Sequence, residues 1–182
     1  SWLREHFPNA MLENCSGGGG RYDLGMMSFS HQIWTSDNTN PEDRINIQYA
    51  STLGYPAATM SCHVANHSDS ALNPRKLEFG YHVALGGALG YEFNVLHMPE
   101  EVRKSLREQI KEYRVYEPLI LRGDLYRLLA PSSGAYAYYF AAKDGSEMLL
   151  SYIQAKGDPK QTARRFRIAA ADKNASYVCT QD

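Results

Sequence analysis

Short apolar runs alternate with helical patterns through the first two thirds of this chain, and that alternation restricts the fold more than any other feature. Residues 10–13 read as a buried strand ending just before Gly17-Gly18-Gly19-Gly20. Residues 31–36 read as a second strand, with Asp37 where it should end. A helix start follows: Asn40 fits the N-cap, Pro41 the first helical position, and Asp43 can close a capping box. Ile45, Tyr49 and Leu53 recur at helical spacing until Gly54-Tyr55-Pro56 ends the helix. Residues 57–64 read as a third strand, followed by a polar loop through His67, Asp69 and Ser70. Residues 77–87 read as a glycine-spotted helix and 90–95 as a fourth strand. Pro99, Glu100 and Glu101 open a helix whose stripe is Val102, Leu106, Ile110 and Tyr113, closed by Glu117-Pro118.

Strand and helix in strict alternation predict βαβ units and a parallel sheet. Pattern alone leaves barrel and open sheet as alternatives. Polar or glycine-rich segments just after several strands favour a barrel, where catalytic groups sit at the C-terminal strand ends. After Leu119 the texture changes. Residues 136–142 form an aromatic strand, Lys143-Asp144-Gly145-Ser146 signals a hairpin turn, and 148–154 return. Residues 165–170 and 175–179 suggest a second hairpin. This part reads as an antiparallel β module, short for a closed sandwich. The boundary near Arg122-Gly123 divides residues 1–121 from 122–182.

Composition excludes several function classes. With 19 Lys+Arg against 20 Asp+Glu in 182 residues, nothing points to nucleic acid or an acidic membrane surface. No apolar run is long enough to span a bilayer. The chain opens at Ser1-Trp2 without a signal peptide, the pattern expected of a piece of a longer protein. Cys15, Cys62 and Cys179 have no metal-ligand spacing and cannot all pair, so a reducing, cytoplasmic compartment is expected. His63, His67 and His82 lack the helical spacing of a zinc protease and read as loop and packing histidines; no metal and no cofactor are expected. The 13 tyrosines suit β-sheet faces ahead of a sugar cleft.

Two segments carry chemistry. Asp37 stands at a strand end before a helix, the active-site side of a barrel, with Trp34 and Ser36 near it to tune its proton. The alternative is an aspartate that only binds loop backbone. The segment Asn14-Cys15-Ser16 with its glycines has three readings: a phosphate cradle, a sugar-hydroxyl contact, or a tight turn. The Walker pattern fails because Arg21-Tyr22 stands where Lys and Ser/Thr are needed. Arg21 and Asp23 are placed to brace the loop.

With these residues, the chain resembles the α-galactosidases of glycoside hydrolase family 36. The carrying segments are Leu12-Glu13-Asn14-Cys15-Ser16-Gly17-Gly18-Gly19-Gly20-Arg21-Tyr22-Asp23-Leu24-Gly25 and Ile33-Trp34-Thr35-Ser36-Asp37-Asn38-Thr39 with Arg44-Ile45 and Ile47-Gln48-Tyr49. Gly123-Asp124-Leu125-Tyr126-Arg127-Leu128 resembles the entry to that family's C-terminal β domain. The resemblance implies an α/β fold: about the last four strands of a (β/α)8 TIM barrel, then an antiparallel β-sandwich-type module. It implies retaining hydrolysis of terminal α-D-galactosyl residues of melibiose- and raffinose-type oligosaccharides by double displacement. Asp37 would be the general acid/base, and Cys15, Gly17 and Gly18 would contact the galactose C2 hydroxyl, leaving little room for a 2-acetamido group. Trp34 would support its strand. The family's nucleophile lies in a Lys-Trp-Asp segment absent here, so the chain alone is expected to be inactive and to associate or aggregate. Asn40 replaces an aspartate found in many relatives. Alternatives are a raffinose- or stachyose-forming galactosyltransferase and a non-catalytic carbohydrate-binding module. The partner expected is an α-galactoside oligosaccharide, and the full-length relative a tetramer.

Overall fold

A computed structural model describes residues 2–65, 73–157 and 164–180. Among them, four short strands pair in parallel in the order β1 (Glu13–Asn14), β2 (Gln32–Trp34), β3 (Met60–Ala65) and β4 (Ala88–Glu92). The register sets Asn14 beside Ile33, Trp34 beside Ser61, and His63 beside Gly90. The connections carry helices α1 (Trp2–His6) before the sheet, α2 (Leu24–Met27), α3 (Pro41–Gly54), α4 (Pro74–Ala84) and α5 (Glu100–Arg122). An antiparallel sheet follows, β5 (Asp124–Leu129), β6 (Ala135–Ala141) and β7 (Met148–Gln154). The α/β order, the parallel sheet and the antiparallel module agree with a partial barrel joined to a β module.

Alternation along β3 divides the two faces of the parallel sheet. Met60, Cys62 and Val64 enter a core with Ile45 of α3, Leu77 and Tyr81 of α4, and Tyr113 of α5. Ser61 and His63 point the other way, toward Glu13 and Trp34. Parallel sheets commonly bury apolar residues on both faces. Here the second face is polar, as the inside of an active-site barrel must be near its mouth.

Helix α3 begins as its local signals predict. Asn40 Oδ1 accepts from the Glu42 amide at 2.9 Å, and Pro41 occupies the first turn. The capping box does not form: Asp43 Oδ2 accepts from Asn38 Nδ2 at 2.9 Å, and the Asn40 amide donates to Asn38 Oδ1. The expected stripe is also displaced. Leu53 is exposed, while Arg44, Ile45, Gln48 and Thr52 are buried. Gln48 tolerates burial because its Nε2 donates to the Val83 carbonyl at 2.8 Å.

Helix α5 runs through Pro118 to Arg122 rather than stopping at Glu117. An interior proline costs roughly 3 kcal/mol. Burial of a large aliphatic side chain returns about 1.5–3 kcal/mol, and both Leu119 and Ile120 are buried beyond the proline. Burial therefore wins. Gly123 then lets the chain turn into β5, since a Cβ there would meet the Leu119 carbonyl at 2.5 Å and the Ala141 carbonyl at 2.8 Å.

Other boundaries shift. β1 lies at Glu13–Asn14, later than residues 10–13, because ladder bonds begin only where the His31 amide donates to the Leu12 carbonyl. β2 ends at Trp34, because Thr35 and Ser36 turn their oxygens to Arg44. Residues 57–59 are a 3-10 turn ahead of β3, and β4 spans Ala88–Glu92 rather than 90–95. The expected hairpin over 165–170 and 175–179 is not a pair of strands. Residues 164–180 are irregular, with turns near 169–171 and 173–175, and they touch β6 where the Ala170 amide donates to Tyr139 Oη at 3.1 Å. Tyr177 Oη accepts from the Asp172 amide and donates to the Gly145 carbonyl, tying that segment to the hairpin turn. The polar loop with His67, Asp69 and Ser70 lies outside the described residues.

Candidate active site

The glycine loop closes over the end of β2. Gly17, Gly18 and Gly19 have φ of 57°, 70° and 95°, the left-handed region that favours glycine. A Cβ on Gly19 would stand 2.3 Å from the Thr35 carbonyl, and one on Gly18 would stand 2.7 Å from the Asp37 amide nitrogen and 3.0 Å from its Cγ. Bare backbone is thus what allows the loop to touch the aspartate. A Cβ on Gly17 would meet nothing within 4 Å, so there the demand is conformational and the loop faces open space.

Side chains from the strand ends anchor this loop. Asn14, buried at the end of β1, donates from Nδ2 to the Arg21 carbonyl at 3.3 Å, bridging the glycines. Tyr22 stacks on Tyr55 at 4.2 Å, and its hydroxyl hydrogen-bonds Thr59 Oγ1 at 3.0 Å; burial raises its pKa. Asp23 does not brace Arg21. It caps α2 by accepting from the Met26 amide at 2.9 Å. Cys15 is a free, exposed thiol between Asn14 and the glycines.

Asp37 is exposed, and its Oδ1 accepts from Trp34 Nε1 at 2.9 Å. The Trp34 ring lies 4.3 Å from the Arg44 guanidinium carbon and 4.6 Å from the His63 ring. Arg44 is 1% exposed and donates to Thr35 Oγ1 and to the Ser36 carbonyl, each at 2.7 Å. Burial lowers its pKa, opposed by the Cys62 thiol once it is ionised and by the carboxylates of Glu92 and Asp37. His63 Nδ1 meets Glu92 Oε1 at 2.8 Å. Gly90 makes this possible, because a Cβ there would overlap the His63 ring at 2.4 Å. Glu13 Oε2 accepts from Gln32 Nε2 at 2.6 Å and from Ser61 Oγ.

The structure therefore brings Asp37 and Gly18 into contact and sets Cys15 and Gly17 on the same loop. Sequence reasoning missed Arg44, Glu13 and Glu92, and set His63 aside as a packing residue. Period-two alternation in β3 was the available signal, since it separates Ser61 and His63 from Cys62 and Val64. Glu13 and Glu92 are already engaged by hydrogen bonds, whereas Asp37 Oδ2 has no partner among the described residues. The arrangement can deliver or accept a proton at Oδ2 beside an open glycine surface. Among the described residues no cluster of His, Cys, Asp or Glu could hold a metal ion, and no helix is long and apolar enough to cross a membrane.

The melibiase family model matches residues 1–123. α-Galactosidase C of Emericella nidulans is 38% identical over 99% of this chain and 24% of its own length. α-Galactosidase AgaA of Geobacillus stearothermophilus is 35% identical over 96% of this chain and 24% of its own length. The crystal structure of a variant of that glycoside hydrolase family 36 enzyme in complex with raffinose superposes with a TM-score of 0.85 at 34% identity, over 94% of this chain and 24% of the other. The chain thus spans about a quarter of the length of these relatives. The family match and the superposition point the same way: the chain belongs to the melibiase family and is similar to α-galactosidases of glycoside hydrolase family 36.

Proposed function

We propose that this chain supplies the acid/base half of a retaining α-galactosidase acting on melibiose- and raffinose-type oligosaccharides. Asp37 protonates the glycosidic oxygen from Oδ2 as the bond to the anomeric carbon breaks, then takes a proton from the water that releases galactose. Cys15 and the backbone of Gly17 and Gly18 meet the C2 hydroxyl of the sugar, and their closeness leaves little room for a 2-acetamido group. The observation that carries this reading is the contact between Gly18 and Asp37, which sets a bare backbone surface against a carboxylate whose Oδ2 has no partner among the described residues.

Double displacement needs a second carboxylate roughly 5–5.5 Å from the first. On this sheet face Glu13 and Glu92 are committed to neighbours. Both glutamates of this face are thus engaged, which supports a nucleophile supplied from outside the chain, in a longer enzyme that completes the barrel and assembles as a homo-oligomer. The chain by itself should not turn over an aryl α-galactoside. In the complete enzyme, Asp37→Asn should lower kcat/KM for melibiose about 10²-fold or more, the range of general acid catalysis. It should spare a 4-nitrophenyl α-galactoside far better, because nitrophenolate leaves without a proton. Equal losses on both substrates, or none, would remove the acid/base role.

A further inference from the structure

We propose that Trp34 is a positioning residue for proton transfer, holding Oδ1 of Asp37 so that the proton is carried on Oδ2 alone. The inference rests on the acid/base reading of Asp37. A free aspartate side chain rotates and presents either oxygen. Here the indole Nε1–H, a donor with no accepting capacity, occupies Oδ1 at 2.9 Å. Gly18 closes another side of the carboxylate, with a Cβ position 3.0 Å from Cγ.

The indole is itself held. The Arg44 guanidinium lies 4.3 Å from its ring centre, a cation–π distance, and is fixed by two hydrogen bonds at the end of β2. The His63 ring lies 4.6 Å from it and is oriented by Glu92 at 2.8 Å. Three neighbouring strands thus fix one hydrogen bond: β2 gives Trp34, β3 gives His63, and β4 gives Glu92. A tryptophan serving only to pack its strand would not need its N–H aimed at the carboxylate. Geometry of this kind acts on catalysis, since small misplacements of a reacting group cost rate steeply.

Trp34→Phe keeps an aromatic ring between Arg44 and His63 and removes the donor. Made in the complete enzyme, it should lower kcat/KM for melibiose about tenfold more than for 4-nitrophenyl α-galactoside, a partial version of the Asp37→Asn selectivity. Equal losses on both substrates, or no loss, would overturn the positioning role while leaving Asp37→Asn selective. If Asp37→Asn itself shows no selectivity, the acid/base reading falls, and this inference with it. Should Trp34→Phe not fold by circular dichroism, His63→Leu takes its place. It removes a ring that steadies the indole, and the same preferential loss on melibiose is expected; a non-selective result overturns the proposal.

Discussion

A Cβ on Gly18 would press on the Asp37 amide at 2.7 Å, whereas one on Gly17 would meet only open space. Both residues have positive φ, so alanine at either position carries the left-handed penalty of about 1–2 kcal/mol. The two substitutions should therefore differ in a defined way. Gly17→Ala should lower stability by about that penalty. Gly18→Ala should lower it further, because the Asp37 backbone must also move, and urea midpoints would measure the gap. Equal midpoints would mean that the loop yields without disturbing the aspartate. At this scale Asp37 and the glycines were legible, because each stands in a contiguous motif. Arg44 was not: a single arginine in a helical pattern reads as solvated, and only the folded chain shows it buried under Trp34.

Helix α5 depends on what it buries after its proline. Ile120 is 1% exposed, beyond Pro118 and just before the turn into β5. Ile120→Ala should cost about 2–5 kcal/mol, the usual range for a buried aliphatic truncation. Chemical denaturation would measure it, and a cost below about 1 kcal/mol would sink the argument that burial carries the helix past the proline. Elements with strong local signals were readable, as α3 shows with its Asn40 cap and Pro41. β5 was not readable by pattern. Asp124–Leu129 mixes charged and apolar residues without clean alternation, and its pairing with β6 contains a register shift between Arg127 and Leu129. The segment 164–180 shows the opposite error: its residues suit strands, yet it touches a sheet instead of joining one.

Across the molecule, acidic side chains with buried hydroxyl or thiol groups set a pH dependence. Burial pushes Cys62 from 9.0 to about 12 and Tyr113 from 10.0 to about 12, and it raises Tyr81, Tyr91, Tyr136 and Tyr138 as well. In the unfolded chain these groups lose protons at their ordinary values, so above about pH 9 the folded state holds more protons than the unfolded one. Their contribution is complete below that pH and is lost as pH rises through the folded values. Urea midpoints should therefore fall between about pH 8 and about pH 10.5. A flat profile would show that these groups titrate in place. The same thiol should resist alkylation in the native protein at neutral pH, while the exposed Cys15 and Cys179 react.

Local signals in the sequence were enough for the βαβ order, the cap of α3, the 143–146 turn and the glycine–aspartate pair of motifs, because each depends on residues close together in the chain. The family resemblance lay in the same contiguous segments. Alternation along β3 already divides its residues into two sets, and tertiary structure decided which set faces the core and which faces the site. It also decided that α5 passes its proline, and that Arg44 and His63 converge on Trp34 with Glu92 holding His63. Those outcomes depend on burial and on contacts between residues far apart in sequence, where the energy of a distant neighbour outweighs the preference of the local chain.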